Sequence, residues 1–198
     1  MGFFESVSAG IVMLLIAVDP AAAVTMFLSL TGDSDGKKRH RVLHDAVLTA
    51  LLIGVGFLFL GAWVFGLLGI DKADFEIGGG LILVVLSLAD LLQGDRAARR
   101  RDEFVGVVPM GTPLIVGPAV LTALTVLQTE YGRGATIVAF LGALAVTALA
   151  LVSADLVKRA IGTAGLKAVS KIISILLAGF GVHLVRLGII QIMTHATK

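Results

Sequence analysis

Cysteine is absent from the 198 residues of this chain, and charged residues make up only 15% of it. Without cysteine there is no disulfide framework, no thiol nucleophile and no cysteine metal site. The low charge argues against a soluble domain, in which about a quarter of the residues are charged, and against a nucleic-acid-binding role. The motif H-E-x-x-H is also absent, and the one G-x-S-x-G match, residues 32–36 (GDSDG), lies in a polar connection between two apolar stretches. A nucleophile elbow requires this pattern between a strand and a helix, so the sequence gives no support for an enzyme.

Long apolar stretches dominate the chain instead. It is 57% hydrophobic with a mean hydropathy of +0.99, and a transmembrane span needs about 20 apolar residues. We therefore predict an all-α membrane protein with one integral membrane domain over residues 1–198, six transmembrane segments and no cofactor or metal. The first stretch lacks the basic start of a signal peptide and is interpreted as a span. The six segments are Phe3–Thr31, Val42–Gly69, Phe75–Gln93, Phe104–Thr129, Ala135–Val157 and Val169–Met193.

The connections between these segments differ in charge. The first and third connections carry four basic residues each, and the fifth carries three, followed by Lys171 at the start of the sixth segment, whereas the second and fourth carry one each. Basic residues accumulate on the cytoplasmic side of a membrane. We therefore predict a multi-pass protein of a cytoplasmic (inner) membrane with both termini outside.

All four prolines lie in the first and fourth segments. Proline removes a backbone donor and clashes with the preceding turn, so each of these segments should be broken near its middle. Proline also suits the first position of a helix, which predicts that second half-helices begin at Pro20 and Pro118. Such breaks are tolerated at membrane depth only where they are buried in protein or line a wet cavity.

The two breaks correspond in sequence. Residues 18–21 (Val-Asp-Pro-Ala) match residues 116–119 (Val-Gly-Pro-Ala) at an offset of 98. Because three spans separate the copies, the second copy must cross the membrane upside down. Broken helices at corresponding positions of inverted repeats are typical of the binding sites of secondary transporters, which predicts repeats over about residues 1–93 and 104–193.

Two helix starts that face one small cavity suit a small zwitterion. Unpaired N–H groups at a helix start bind a carboxylate, and freed carbonyl groups accept from an ammonium group. Asp19 is interpreted either as an N-cap of the second half-helix or as a direct ligand of substrate or a proton. The predicted substrate-binding residues are Asp19, Pro20, Ala21, Ala22, Thr25, Gly111, Thr112, Gly117, Pro118, Ala119 and Thr122.

Other polar and small residues receive structural interpretations. Asp90 and Asp155 lie near the ends of the third and fifth segments and are interpreted as membrane-interface residues rather than as proton relays. The glycines of residues 78–80 and the small residues Ser174, Ala178 and Gly181 are interpreted as sites of close helix packing.

Two runs of sequence resemble the signatures of the MarC/SnatA family of small membrane proteins: residues 19–31 (DPAAAVTMFLSLT) and residues 108–118 (VPMGTPLIVGP). The resemblance covers nearly the whole chain. It implies six spans in an inverted three-plus-three repeat with broken first and fourth helices. It also implies transport of small neutral amino acids such as glycine and alanine, with H⁺ or Na⁺ as the coupling ion where transport is coupled.

The chain departs from the family pattern at four positions. The family usually has Gly, Asn and Pro where this chain has Ala22, Ala23 and Thr25, and Gly where it has Ala119. Each alanine that replaces a glycine narrows the expected cavity, so we predict a preference for glycine-sized solutes. Oligomeric state stays open between a monomer and a homo-oligomer.

A passive pore for small polar solutes is the alternative function. The Asp-Pro-Ala and Gly-Pro-Ala triplets are similar to the paired Asn-Pro-Ala boxes of aquaporins, which also bring two half-helix ends to the membrane midplane. Those boxes lie in re-entrant loops, however, whereas these triplets interrupt the first and fourth spans. This difference favours a transporter.

Overall fold

A computed structural model describes residues 2–31, 35–93 and 115–196 of the chain. Within these ranges the regular secondary structure consists of α-helices. In chain order they are α1 (Phe3–Val18), α2 (Pro20–Thr31), α3 (Gly36–Leu68), α4 (Lys72–Gln93), α5 (Pro118–Val152) and α6 (Ala154–Ala196).

Helices α1 and α2 form a bent pair that is interrupted at a single residue. Their axes differ by 42° across Asp19. Proline cannot continue the hydrogen-bonded ladder of α1, but its fixed φ suits the first turn of a new helix. Helix α2 accordingly begins at Pro20, as the sequence predicts, and α5 begins in the same way at Pro118.

Helix α5 folds back on itself at Gly132. This residue has φ 80° and ψ 163°, a conformation that is essentially restricted to glycine. A Cβ on Gly10 of α1 would lie 2.8 Å from Ala139 Cβ and 3.6 Å from Leu127 Cδ1. Leu127 and Ala139 are twelve residues apart, which is about 18 Å along a straight helix. Both can therefore contact Gly10 only if the chain turns back between them. Two arms result, 118–131 and 133–152, with the turn in the predicted fourth connection.

Helices α4 and α6 pack antiparallel through glycine. A Cβ on Gly80 would lie 2.5 Å from the carbonyl oxygen of Gly181, and a Cβ on Gly181 would lie 2.7 Å from that of Gly80. Side chains larger than hydrogen are therefore excluded on both helices at this crossing. Close packing is confirmed for these two glycines and for Gly79, which lies against Thr122, whereas Gly78 has open space beside it.

The outer surface of the helices is apolar. Side chains such as Leu52, Val85 and Leu149 are about two-thirds exposed, which suits lipid rather than water. In the described part of the chain four helices are long and apolar enough to cross a membrane, or five if the bent pair α1–α2 counts as one span. The most apolar window of α5 is 44% buried, against 22–28% for α3, α4 and α6, so α5 is the central helix.

Several predicted boundaries differ from the observed ones. Helix α3 begins at Gly36, six residues before the predicted Val42, because the intervening Lys and Arg residues are good helix formers even though they are not apolar. The fifth segment is predicted to run to Val157, but α5 ends at Val152 and α6 begins after Ser153. A second glycine with non-helical dihedral angles, Gly162, interrupts α6. The first half of the predicted fourth segment lies outside the described residues.

Candidate functional site

Asp19 lies between α1 and α2 in a left-handed conformation. Its φ is 48° and its ψ is 76°, and among the described residues it is the one non-glycine residue with a positive φ. Aspartate tolerates this region better than most residues because its short polar side chain can hydrogen-bond locally. The backbone N–H of Asp19 still donates to the carbonyl of Leu15 at 3.1 Å, which closes α1 before the chain turns into α2.

The carboxylate of Asp19 joins two separate helices. Its Oδ1 accepts from the backbone N–H of Ala22 at 3.1 Å, which is the N-cap interaction expected at the start of α2. Its Oδ2 accepts from the hydroxyl of Ser170 on α6. The N-cap interpretation is therefore confirmed, and the second oxygen is held by a residue 151 positions further along the chain.

A second carboxylate, that of Asp90 on α4, is linked to the first break through α6. Ser174 follows Ser170 by one helical turn, and its Oγ lies 2.5 Å from Asp90 Oδ2 on α4. The Ser174 hydroxyl is buried, whereas Asp90 is exposed. We call Asp19, Ser170, Ser174 and Asp90 the break cluster. It connects the first helix break to both α4 and α6.

The start of α5 lacks a comparable side chain. Gly117 is extended, with φ −95° and ψ −176°, and no side-chain hydrogen bond caps the helix. Gly117 lies 98 residues after Asp19, so the two residues occupy corresponding positions at the two breaks. One break therefore carries its own carboxylate, while the corresponding break presents the positive end of a helix without one.

Both breaks are embedded in one buried core. Val18 and Ala21 flank the first break, Val116 and Val120 flank the second, and all four belong to the same hydrophobic cluster with exposures of 1–8%. Backbone groups at the two breaks are thus removed from lipid, as irregular backbone at membrane depth requires.

The predicted threonine ligands use their hydroxyl donors within their own helices. Thr25 Oγ1 donates to the carbonyl of Ala21 and Thr122 Oγ1 to that of Pro118, each at 2.9 Å. Thr122 is also 2% exposed and packs against Gly79. These threonines therefore offer a solute only acceptor capacity, which is less than the sequence suggested.

The structure brings some of the predicted site residues together and leaves others untested. The seven residues from Asp19 to Ala22 and from Gly117 to Ala119 surround the two helix breaks. Gly111 and Thr112 lie outside the described residues. Sequence reasoning missed Ser170 and interpreted Ser174 only as a packing residue; the i, i+4 spacing of the two serines, which places them on one face of α6, was the available signal.

Comparison with known proteins identifies relatives of unassigned function. The family model described as "MarC family integral membrane protein" matches residues 4–193. A UPF0056 membrane protein of Methanocaldococcus jannaschii, MJ1677, is 31% identical over 185 residues, covering 87% of this chain and 90% of the relative. The UPF0056 inner membrane protein YhgN of Escherichia coli K12 is 28% identical over 178 residues, with the same coverage. No solved structure matches the chain.

The family match spans almost the whole chain and includes both helix breaks, the arms of α5 and the break cluster. The resemblance found in the two signature runs is therefore confirmed. This chain is an integral membrane protein that belongs to the MarC family.

Proposed function

We propose that this protein is a secondary transporter of small neutral amino acids with its substrate bound between the two helix breaks. The observation that carries the proposal is the unequal capping of these breaks. Asp19 supplies a carboxylate to the start of α2, whereas Gly117 supplies none to the start of α5. A solute carboxylate would complete the cap at α5, and its ammonium group would pair with Asp19.

Substrate binding would also affect contact between helices. Asp19 Oδ2 accepts from Ser170 on α6, so an ammonium group that takes this oxygen competes with the serine hydroxyl. Loss of that bond would release α6 from the first break. Alternating access requires a link of this kind between occupancy of the site and movement of one half against the other.

The architecture we propose is six spans in two inverted halves, with both termini outside and the chain in a cytoplasmic (inner) membrane. Helices α2, α3 and α4 follow the first break, and the two arms of α5 and then α6 follow the second. Basic residues concentrated in alternate connections support the orientation. Small side chains at residues 21, 22 and 119 support a solute of the size of glycine or alanine.

The test is flux of radiolabelled glycine and alanine into proteoliposomes, with and without a pH or sodium gradient. Asp19→Asn keeps an oxygen for the N-cap but removes the negative charge, whereas Asp19→Ala removes both. We expect saturable, gradient-driven flux in the native protein, loss of flux in both variants, and a lower thermal midpoint only in Asp19→Ala.

Three outcomes contradict the proposal. Flux that neither saturates nor responds to a gradient would indicate a passive pore. Flux in Asp19→Asn equal to that of the native protein would mean that Asp19 acts as a helix cap and not as a substrate ligand. Uptake of leucine as efficient as that of glycine would contradict the preference for small solutes.

A further inference from the structure

A cavity of about 170 Å³ opens far from the break cluster. It lies between the C-terminal part of α3, the first turn of α4 and the end of the first arm of α5. Its volume is more than ten times the roughly 10–15 Å³ that one water molecule requires. Glu76 of this cavity and Asp90 of the break cluster are 14 residues apart on α4, a distance of about 21 Å along the helix axis.

One wall of the cavity carries a buried carboxylate that is only half paired. The side chain of Glu76 is 4% exposed, and its Oε1 lies 3.4 Å from Lys72 Nζ. Its Oε2 is buried and has no hydrogen-bond partner among the described residues. Helix α6 closes the space behind it, since a Cβ on Gly188 would lie 3.3 Å from Glu76 Cβ. A buried carboxylate oxygen without a donor is a strong acceptor for a cation.

The charged groups around Glu76 carry a net negative charge. Lys72 Nζ is shared between Glu76 and Glu130, whose Oε1 lies 3.8 Å away. Two carboxylates and one ammonium group give a formal surplus of one negative charge, and the carboxylate of Asp71, which also lines the cavity, adds to this surplus. A ligand that balances it carries a positive charge and can donate a hydrogen bond.

Aromatic rings form another part of the lining. Phe65 and Phe75 have ring centroids 4.6 Å apart at 48°, and Phe57 and Phe65 have centroids 6.0 Å apart at 77°. All three residues line the cavity. The faces of aromatic rings attract cations, and clustered rings with a carboxylate suit organic ammonium groups better than hydrated metal ions. No group of three His, Asp or Glu residues fit to hold a metal ion occurs in the described ranges.

We propose that this cavity binds the ammonium group of a small solute, with the half-paired carboxylate of Glu76 as acceptor and the rings of Phe57, Phe65 and Phe75 beside the cation. The inference does not depend on transport through the helix breaks. An amine and an amino acid share this chemistry, and the experiment distinguishes them.

The test is isothermal titration calorimetry of the full-length protein in nanodiscs with methylammonium, glycine and sodium as separate probes. We expect methylammonium or glycine to bind the native protein and to bind Glu76→Gln at least about 10-fold more weakly, as loss of a charge-assisted hydrogen bond predicts. Asp74→Asn is the matched control, because Asp74 is an exposed carboxylate in the same helical turn. It should bind as the native protein does.

A second variant tests the aromatic part of the site. Phe65→Leu keeps an apolar side chain but removes one ring face, so binding should weaken while the protein stays folded. If methylammonium binds, an ammonium group without a carboxylate is sufficient for binding, and the ligand is an amine. If glycine binds and methylammonium does not, the ligand is an amino acid. Methylammonium lacks the carboxylate that the site between the helix breaks requires, so its weaker binding to Glu76→Gln reports the cavity alone. Glycine binding that persists in Glu76→Gln and is lost in Asp19→Asn belongs to the helix breaks, which separates this proposal from the transport function.

Three results would overturn the proposal. One is that neither ammonium probe binds the native protein. Another is that Glu76→Gln, with an unchanged thermal midpoint, binds as tightly as Asp74→Asn. A third is that sodium binds as tightly as methylammonium, because that would indicate a site for an inorganic cation.

Discussion

The crossing of α4 and α6 gives the sharpest test of the packing. In Gly80→Ala the new methyl group would lie 2.5 Å from the carbonyl oxygen of Gly181 and 2.9 Å from the backbone N of Val185. Backbone atoms cannot rotate away, so the two helices must separate. Overpacking of this kind typically lowers the free energy of unfolding by about 1–3 kcal/mol, against a gain of about 1 kcal/mol from the better helix propensity of alanine.

Gly78→Ala is the matched control for this variant. Gly78 lies two residues earlier on the same helix and has no atom within 4 Å of the position that a Cβ would take. It gains the same helix propensity without the clash, so the two variants should differ by the overpacking term alone, about 1–3 kcal/mol. For a chain of this length each kcal/mol corresponds to about 2–4 °C in the thermal midpoint.

The measurement is thermal unfolding of both variants in the same detergent, followed by circular dichroism. We expect Gly80→Ala to unfold about 2–12 °C below Gly78→Ala. Equal midpoints for the two variants would refute the close approach of α4 and α6 at Gly80.

Two further variants test a close contact and a positive φ by the same assay. In Gly54→Ala the added Cβ would lie 2.2 Å from Phe140 Cζ, so we expect destabilisation that a second change, Phe140→Leu, partly relieves; strictly additive effects would contradict the contact. In Gly132→Ala the positive φ of 80° becomes strained, which should lower the free energy of unfolding by about 1–3 kcal/mol. Gly134→Ala, which has open space around it, should not be destabilised, and equal loss in both would argue against the turn at Gly132.

Proline and glycine chemistry made the interruptions of this fold predictable. The fixed φ of Pro20 and Pro118 indicated where helices begin, and both positions are confirmed as first residues of helices. The turn at Gly132 falls within the predicted connection between the fourth and fifth segments. These features depend on residues next to each other in sequence, and so a single sequence carries the information.

Contacts between distant residues were not predictable in the same way. Nothing near Asp19 in sequence indicates that its second oxygen accepts from Ser170, because that bond depends on how α6 packs against the first break. Asp90 was likewise interpreted from its position alone, and its bond to Ser174 depends on the register of α4 against α6. That register is in turn determined by the glycine crossing.

The reciprocal contact of Gly80 and Gly181 has a mechanical consequence. The backbones of α4 and α6 approach closely a second time, because a Cβ on Gly188 would lie 2.7 Å from the carbonyl oxygen of Ala73. Ala73 is seven residues before Gly80, about 10 Å along the axis of α4. Rotation of α4 against α6 about one of these contacts must open the other, so the two helices resist twisting against each other.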